Sequence, residues 1–258
     1  MPDARLSPRG LGEALVVGAC LLSVVRAPCA MSAPLDRGQP LWVNPCGVVV
    51  AVNPGGGSEF TEFTTPVVKD EELLTQIVGQ ARTALGHAET FRDKYVESTF
   101  KLKLQDHHTA WRSNQYDWLP GPEQIPKSLG ETLDPEYLQT VQFEQALKDS
   151  YEYLQKYAVG LEQVVSDQYD HNGAFLSEFK DAEYNVRSTL CEIQLGMMAK
   201  NVTQKPDVAR DIMADEYRSM GNSSYRNLRD WLIFRDYMNG LEYVVQVFEY
   251  VRDHLAAS

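Results

Sequence analysis

The chain has 258 residues, 43% of them hydrophobic, and a formal net charge of −12. That length and apolar content suffice for a sizeable core in one large domain or two small ones. The negative charge excludes non-specific nucleic-acid binding and disfavours docking on an anionic membrane, because both require clustered Lys and Arg.

The N-terminus has the features of a secretory signal. Arg5 and Arg9 make a weakly basic start, and Ala14–Val25 is an apolar run that is too short to span a bilayer. Small residues follow, so we predict cleavage near Ser32, with residues 1–32 as the signal and an extracellular product. The alternative is a tail with an accidental apolar run. No later run approaches about 18 apolar residues, so we expect no membrane insertion.

Two of the four cysteines remain after such cleavage. Cys20 and Cys29 lie within the signal, whereas Cys46 and Cys191 stay as an even pair in an oxidising compartment. The sequence allows a disulfide between Cys46 and Cys191. It equally allows Cys191 to be a buried free thiol in a helix.

Two Asn-x-Ser/Thr tripeptides agree with a secreted chain. They begin at Asn201 and Asn222, and this pattern is the acceptor for N-linked glycans. We therefore predict glycosylation at both asparagines, although such tripeptides also occur by chance.

Residues 33–69 are predicted to be an irregular leader. Several prolines and the three glycines at 55–57 interrupt every periodic pattern. The glycines do not make a phosphate loop, because no Lys-Ser or Lys-Thr follows and no helix begins there. Cys46–Val52 is apolar enough to form a short strand or to pack on a helix.

Four long stretches repeat apolar residues at steps of three and four, which is the period of an amphipathic helix. Asp134 before Pro135 is a helix N-cap followed by proline at the first helical position. Gly240, inside the last stretch, costs about 1 kcal/mol relative to alanine. A shorter helix is predicted within Asp207–Met220. The four long helices are A (Asp70–Leu104), B (Pro135–Tyr169), C (Ala174–Lys200) and D (Tyr225–Leu255).

The connection lengths predict how these helices are arranged. The turn between B and C is short, so those two helices must be antiparallel neighbours. The connections 105–133 and 201–224 are long enough to cross a helix about 45 Å in length. We therefore predict an all-α domain over residues 70–258, a long-chain four-helix bundle in up-up-down-down order with two crossover loops.

We find no pattern that carries catalysis or binds a metal. A di-iron bundle needs Glu-x-x-His on two helices, and no histidine of this chain has Glu three residues before it. We interpret His107 and His108 as part of a solvated loop, because adjacent residues seldom face one ion. The nucleophile-elbow, Cys-x-x-Cys and P-loop motifs are also missing. We expect no enzyme, no cofactor, no metal and no catalytic residue.

Four pieces of the chain carry a resemblance to a known family. They are helix A from LLTQIVGQARTALG onward, residues 129–161 (LGETLDPEYLQTVQFEQALKDSYEYLQKYAVGL), the pattern of helix C, and residues 225–251 (YRNLRDWLIFRDYMNGLEYVVQVFEYV). In pattern and order they resemble the interleukin-6-type long-chain helical cytokines, including vertebrate ciliary neurotrophic factor and invertebrate Unpaired-like members. The resemblance implies a secreted monomer that bridges receptor chains of the interleukin-6 receptor class and activates JAK/STAT signalling.

The resemblance also suggests receptor-binding residues. In several family members a Phe-x-x-Lys pair at the start of helix D packs on a receptor. Here Tyr225 stands for the Phe, but Leu228 occupies the position of the Lys. Exposed aromatic and Arg side chains are enriched at binding hot spots, although Trp231 also fits the buried stripe of helix D. The predicted receptor-binding residues are Tyr225, Arg226, Arg229 and Trp231 on helix D, and Arg92 and Lys94 for a second surface on helices A and C.

Two other functions fit the same sequence. A secreted carrier would bind lipid or another hydrophobic ligand between its helices, with Phe175, Phe179, Met197 and Met198 lining the cavity. A structural bundle would instead oligomerise. Bound lipid on native extraction distinguishes the first alternative, and sedimentation distinguishes the second.

Overall fold

A computed structural model describes residues 38–47 and 69–255, and every regular element in these ranges is helical. A single 3₁₀ turn, Arg210–Ile212, accompanies the α-helices. The predicted signal (1–32) and most of the predicted leader lie outside the described residues. The α-helices are α1 (Asp70–Phe100), α2 (Leu104–Trp111), α3 (Pro135–Thr140), α4 (Phe143–Asp170), α5 (Leu176–Ala199), α6 (Asp215–Arg218) and α7 (Ser223–Leu255).

Local sequence accounts for the start of α3 and the end of α1. Asp134 accepts a hydrogen bond from the backbone N–H of Glu136 and caps α3, with Pro135 at its first position. At the end of α1, Lys101 adopts a left-handed conformation (φ 60°), and its N–H donates to the carbonyl of Glu97. This left-handed cap ends the helix before Leu104.

Predicted helix B is two helices, α3 and α4. Val141 and Gln142 between them are extended. Tyr137 of α3 hydrogen-bonds Tyr243 through the two hydroxyls (3.0 Å), while Phe143 at the start of α4 packs on Phe248. Residues six apart on one straight helix point about 240° apart, so both could not face α7. The break therefore follows from packing, which a period of three and four does not reveal.

The two long connections also differ from the prediction. The first connection, residues 101–142, contains α2 as well as α3. Within the second connection, residues 200–222, the helix predicted over Asp207–Met220 is only the 3₁₀ turn and the single-turn helix α6. Side-chain bonds hold this segment instead, because Arg218 donates to the carbonyls of Arg210 and Met213.

The four long helices pack so that α1 and α4 each contact both α5 and α7. Lys200 bonds Asp70, and at the other end of the pair Phe179 packs on Phe91, so α1 and α5 are antiparallel. The first helix also runs opposite α7, because Phe91 packs on Phe234 and Arg82 on Glu249.

The same holds for α4. Its first residue, Phe143, packs on Phe248, whereas Asp167 near its end bonds Arg229 at the start of α7. The turn of residues 171–175 brings α5 back against α4. The parts of the chain that the structure describes include no helix that is long and apolar enough to cross a membrane.

Residues 39–47 pack on these helices. The indole N–H of Trp42 donates to the carbonyl of Val208 (2.7 Å), and its own carbonyl accepts from the Gln155 amide (3.1 Å). Cys46 is disulfide-bonded to Cys191 of α5. This part of the leader is thus fixed against α4, α5 and the second connection.

Gly240 marks a close approach of α4 and α7. A β-carbon added there would lie 2.3 Å from Cε2 of Tyr157, whose ring is buried. We expect Gly240→Ala to lower the free energy of unfolding by about 1–3 kcal/mol because of overpacking, against a gain of about 1 kcal/mol from helix propensity alone.

Chemical denaturation of Gly240→Ala beside Gly86→Ala tests this expectation. An added β-carbon at Gly86 in α1 meets nothing within 4 Å, so that variant should gain up to about 1 kcal/mol. A Gly240→Ala protein as stable as its parent would contradict the tight packing.

Candidate receptor-binding surface

Tyr225 lies in the first turn of α7 and is 66% exposed. The side-chain oxygen of Asn222 accepts hydrogen bonds from the backbone N–H groups of Ser224 (2.9 Å) and Tyr225 (3.3 Å). Asn222 therefore caps α7 and fixes the backbone from which the Tyr225 ring projects. This exposed aromatic side chain, held on a rigid helix end, can enter a pocket of a partner.

Arg226 is only partly available to a partner. Its guanidinium donates to the carbonyl of Met220 (3.1 Å), and the residue is half-buried. The bond ties the last residues of the second connection to the first turn of α7. Arg226 can support Tyr225 from the side, but a partner would have to share its donors.

Arg229 and Trp231 require a correction, since both are fully buried and offer no surface to a receptor. The guanidinium of Arg229 contacts Asp167 and Asp230 and donates to the carbonyl of Tyr217 (2.5 Å). Trp231 packs on His107 and Phe234. The alternative noted for Trp231, a place in the buried stripe, is the one observed, and Arg229 shares its burial through ion pairing.

The second predicted surface uses Arg92 and Lys94 of α1. Arg92 is half-buried and pairs with Asp93 (2.9 Å) and Glu89 (3.5 Å), whereas Lys94 is exposed. Among the residues that the structure describes, no hydrogen bond or ion pair joins either side chain to the first turn of α7. The second surface therefore stays a prediction.

Two exposed apolar residues that sequence reasoning missed lie at the same end of the helices as Tyr225. Leu102 (46% exposed) follows the end of α1, and Tyr169 (63% exposed) lies at the end of α4. Phe100 stacks on His107, which packs on Trp231, and Asp167 bonds Arg229, so both helix ends adjoin the start of α7. Leu102, Tyr169 and Tyr225 together are called the end surface below.

A sequence signal existed for Tyr169, because Asn172-Gly173 marks the end of helix B three residues later. Leu102 lies inside the predicted range of helix A, and no local pattern separates it from that helix. Side chains at helix ends are more often exposed than those in the apolar stripe. Which ends adjoin, however, depends on helix directions and hence on tertiary structure.

Both predicted glycosylation sites are exposed. Asn201 follows α5 and adopts a left-handed conformation (φ 53°). Asn222 uses its side-chain oxygen as the cap of α7, which leaves its amide nitrogen, the atom that carries a glycan. The cap and a glycan at Asn222 are thus compatible.

The histidine pair also differs from expectation. His107 and His108 lie in α2, not in a solvated loop, and His107 is buried with its ring 3.9 Å from that of Phe100. Burial lowers the pKa of both side chains. Within the described ranges, no cluster of three or more His, Cys, Asp or Glu side chains has the arrangement of a metal site.

Comparison with known proteins adds no assignment. No protein-family description, no curated protein and no solved structure matches this chain.

Proposed function

We propose that this chain is a secreted long-chain helical cytokine of interleukin-6 type, a four-helix bundle in up-up-down-down order. The supporting observation is the direction of the helices. Both α1 and α4 run opposite α5 and α7, the short turn joins an antiparallel pair, and the long connections 101–142 and 200–222 join the remaining ends. That order matches the growth-hormone and cytokine bundles.

In this proposal the protein bridges cell-surface receptor chains and activates JAK/STAT signalling. The end surface is the first receptor-binding surface, with Tyr225 as its central aromatic residue and Arg226 beside it. Arg92 and Lys94 belong to a second surface, on α1. Lys101 and Lys103 flank Leu102, so the partner should present carboxylates around an apolar pocket.

The carrier alternative gains no support from the residues assigned to it. Phe175 and Phe179 pack on the ring of Tyr95, at 5.3 and 5.2 Å between centroids. Met197 is buried, but Met198 is half exposed. Core packing and surface position account for these side chains without a bound ligand.

STAT phosphorylation in cells of the source organism tests the proposal. The chain is expressed in secreting cells, and purified protein is applied over a range of concentrations. We expect a dose-dependent signal whose potency falls about tenfold or more in Tyr225→Ala, because truncating a hot-spot residue costs more than about 1.4 kcal/mol of binding.

The control is Leu255→Ala, which removes an exposed apolar side chain (40%) from the opposite end of α7. Its potency should stay within about threefold of the parent protein. An equal loss in both variants would contradict the end surface while leaving the cytokine function. A folded, secreted parent protein that gives no STAT signal in any cell type tested would overturn the function itself.

A further inference from the structure

Arg229, Asp167 and Asp230 form a buried cluster, called the Arg229 cluster, in which one guanidinium serves two carboxylates. Arg229 is fully buried, and the side chains of Asp230 and Asp167 are only 3% and 10% exposed. The guanidinium reaches Asp230 with Nη2 (2.5 Å) and Nε (3.0 Å) and also contacts Asp167. With both carboxylates ionised, the cluster carries one uncompensated negative charge away from water.

The same cluster fastens the second connection to the helices. Arg229 donates to the carbonyl of Tyr217 in α6 (2.5 Å). The side-chain amide of Gln163 donates to Asp167 (3.2 Å) and to the main-chain carbonyl of Arg218. The guanidinium of Arg218 in turn donates to the side-chain oxygen of Gln163. Two helices and the connection therefore meet at one ion-paired site.

We propose that the Arg229 cluster is a proton-sensitive latch, which takes up one proton on its carboxylate pair and then holds α6 more tightly against α4 and α7. With one carboxylate neutral, the remaining charge balances that of the guanidinium. Arg229 then donates to the Tyr217 carbonyl from a cluster that carries no net charge. The inference concerns the chain itself and does not depend on receptor binding.

The electrostatics agree with this geometry. Burial raises the pKa of Asp230 to about 7, against the opposing charge of Arg229. Burial and the charge of Asp230 also raise the pKa of Tyr95 well above its ordinary value, so Tyr95 stays a neutral phenol. The other titratable or charged groups near the cluster are Arg226 on α7, Tyr116 in the first connection, and Tyr217 and Arg218 in α6, of which Arg218 bonds Gln163.

The sign of the pH effect follows from linkage. A solvated Asp230 in an opened latch has its ordinary pKa of 3.8, whereas the closed state holds the proton up to about pH 7. Between these values the closed state binds more protons, so the latch opens more readily as pH rises. The opening constant should increase by up to about tenfold per pH unit between about pH 4 and pH 6, more gradually near pH 7, and level off above it.

Hydrogen exchange of the full chain measures this opening. The reporters are the backbone N–H groups of Tyr217 and Ser219, which donate to Ala214 and Asp215. After correction for intrinsic rates, their protection should fall about fivefold from pH 6 to pH 7 and about twofold from there to pH 8. Asp230→Asn, which cannot ionise, should abolish this pH dependence.

Asp236→Asn is the matched control, because Asp236 is an equally buried aspartate on α7 that fastens the first connection. It pairs with Arg235, which donates to the carbonyls of Trp111 and Asn114 (2.7 Å each). Asp236→Asn should leave Tyr217 and Ser219 as pH-dependent as in the parent protein. Unchanged protection across this pH range in the parent, or pH dependence that persists in Asp230→Asn, would overturn the proposal.

A second measurement needs no substitution. The carboxyl carbon resonance of Asp230 in the unmodified chain should titrate with a midpoint near pH 7. A resonance that shows no titration between pH 5 and pH 8 would overturn the latch even if the Asp230→Asn protein failed to fold.

Discussion

Replacement of Arg229 by methionine should lower the free energy of unfolding by about 3–5 kcal/mol. The substitution keeps much of the side-chain volume but removes the guanidinium that contacts both Asp167 and Asp230, so these buried carboxylates lose their partner. It also removes the donor to the Tyr217 carbonyl. Urea denaturation at neutral pH measures the loss.

Arg92→Met is the control for that prediction. Arg92 also contacts two carboxylates, those of Glu89 and Asp93, but near the surface of α1. Exposed ion pairs contribute about 1 kcal/mol or less to the free energy of unfolding. Arg92→Met should therefore lower that free energy by no more than this amount. Equal losses in the two variants would show that burial of the Arg229 cluster does not matter.

This prediction limits how receptor binding can be tested. A variant that joins Tyr225→Ala to a change at Arg229 would lose signal through unfolding, whatever the role of Tyr225. Tyr225→Ala alone avoids this problem because its side chain is exposed and the Asn222 cap uses backbone N–H groups.

Replacement of Phe234 by alanine should also cost about 3–5 kcal/mol of unfolding free energy. Phe234 is fully buried, and its ring centroid lies 4.9 Å from that of Phe91 and 5.2 Å from that of Phe179. It joins α1, α5 and α7 at one point, so truncation leaves a cavity that three helices would have to close.

Thermal or chemical unfolding of Phe234→Ala beside Tyr169→Ala checks the size of this effect. Tyr169 is also aromatic but is 63% exposed, so its truncation should change the unfolding free energy by less than about 0.5 kcal/mol. If Phe234→Ala lowered the free energy of unfolding only as much as Tyr169→Ala does, the rings of Phe91, Phe179 and Phe234 would not be closely packed.

The periodic pattern of the sequence determined the all-helical class and the core of each long helix. Leu74, Ile77 and Phe91, which belong to the apolar pattern of helix A, are buried. The helix start at Asp134–Pro135 could also be predicted from the sequence, because capping depends on neighbouring residues alone. Local chemistry suffices for such features.

The burial of charged residues on α7 could not be predicted in the same way. Arg229, Asp230, Arg235 and Asp236 carry charged side chains, yet all four are buried. The two arginines have further partners far along the chain: Asp167 on α4 for Arg229, and carbonyls of the first connection for Arg235. A charged residue is buried only where such partners converge, and no local pattern records that.

By itself, then, the sequence determined which segments are helical and where several of them begin, since these depend on side chains within a few residues. Tertiary structure alone decided that helix B is broken at Val141, that Gly240 receives the Tyr157 ring, and that Arg229 belongs to the interior. Each of these depends on residues brought together from distant parts of the chain, and the free energy of their packing outweighs local preference.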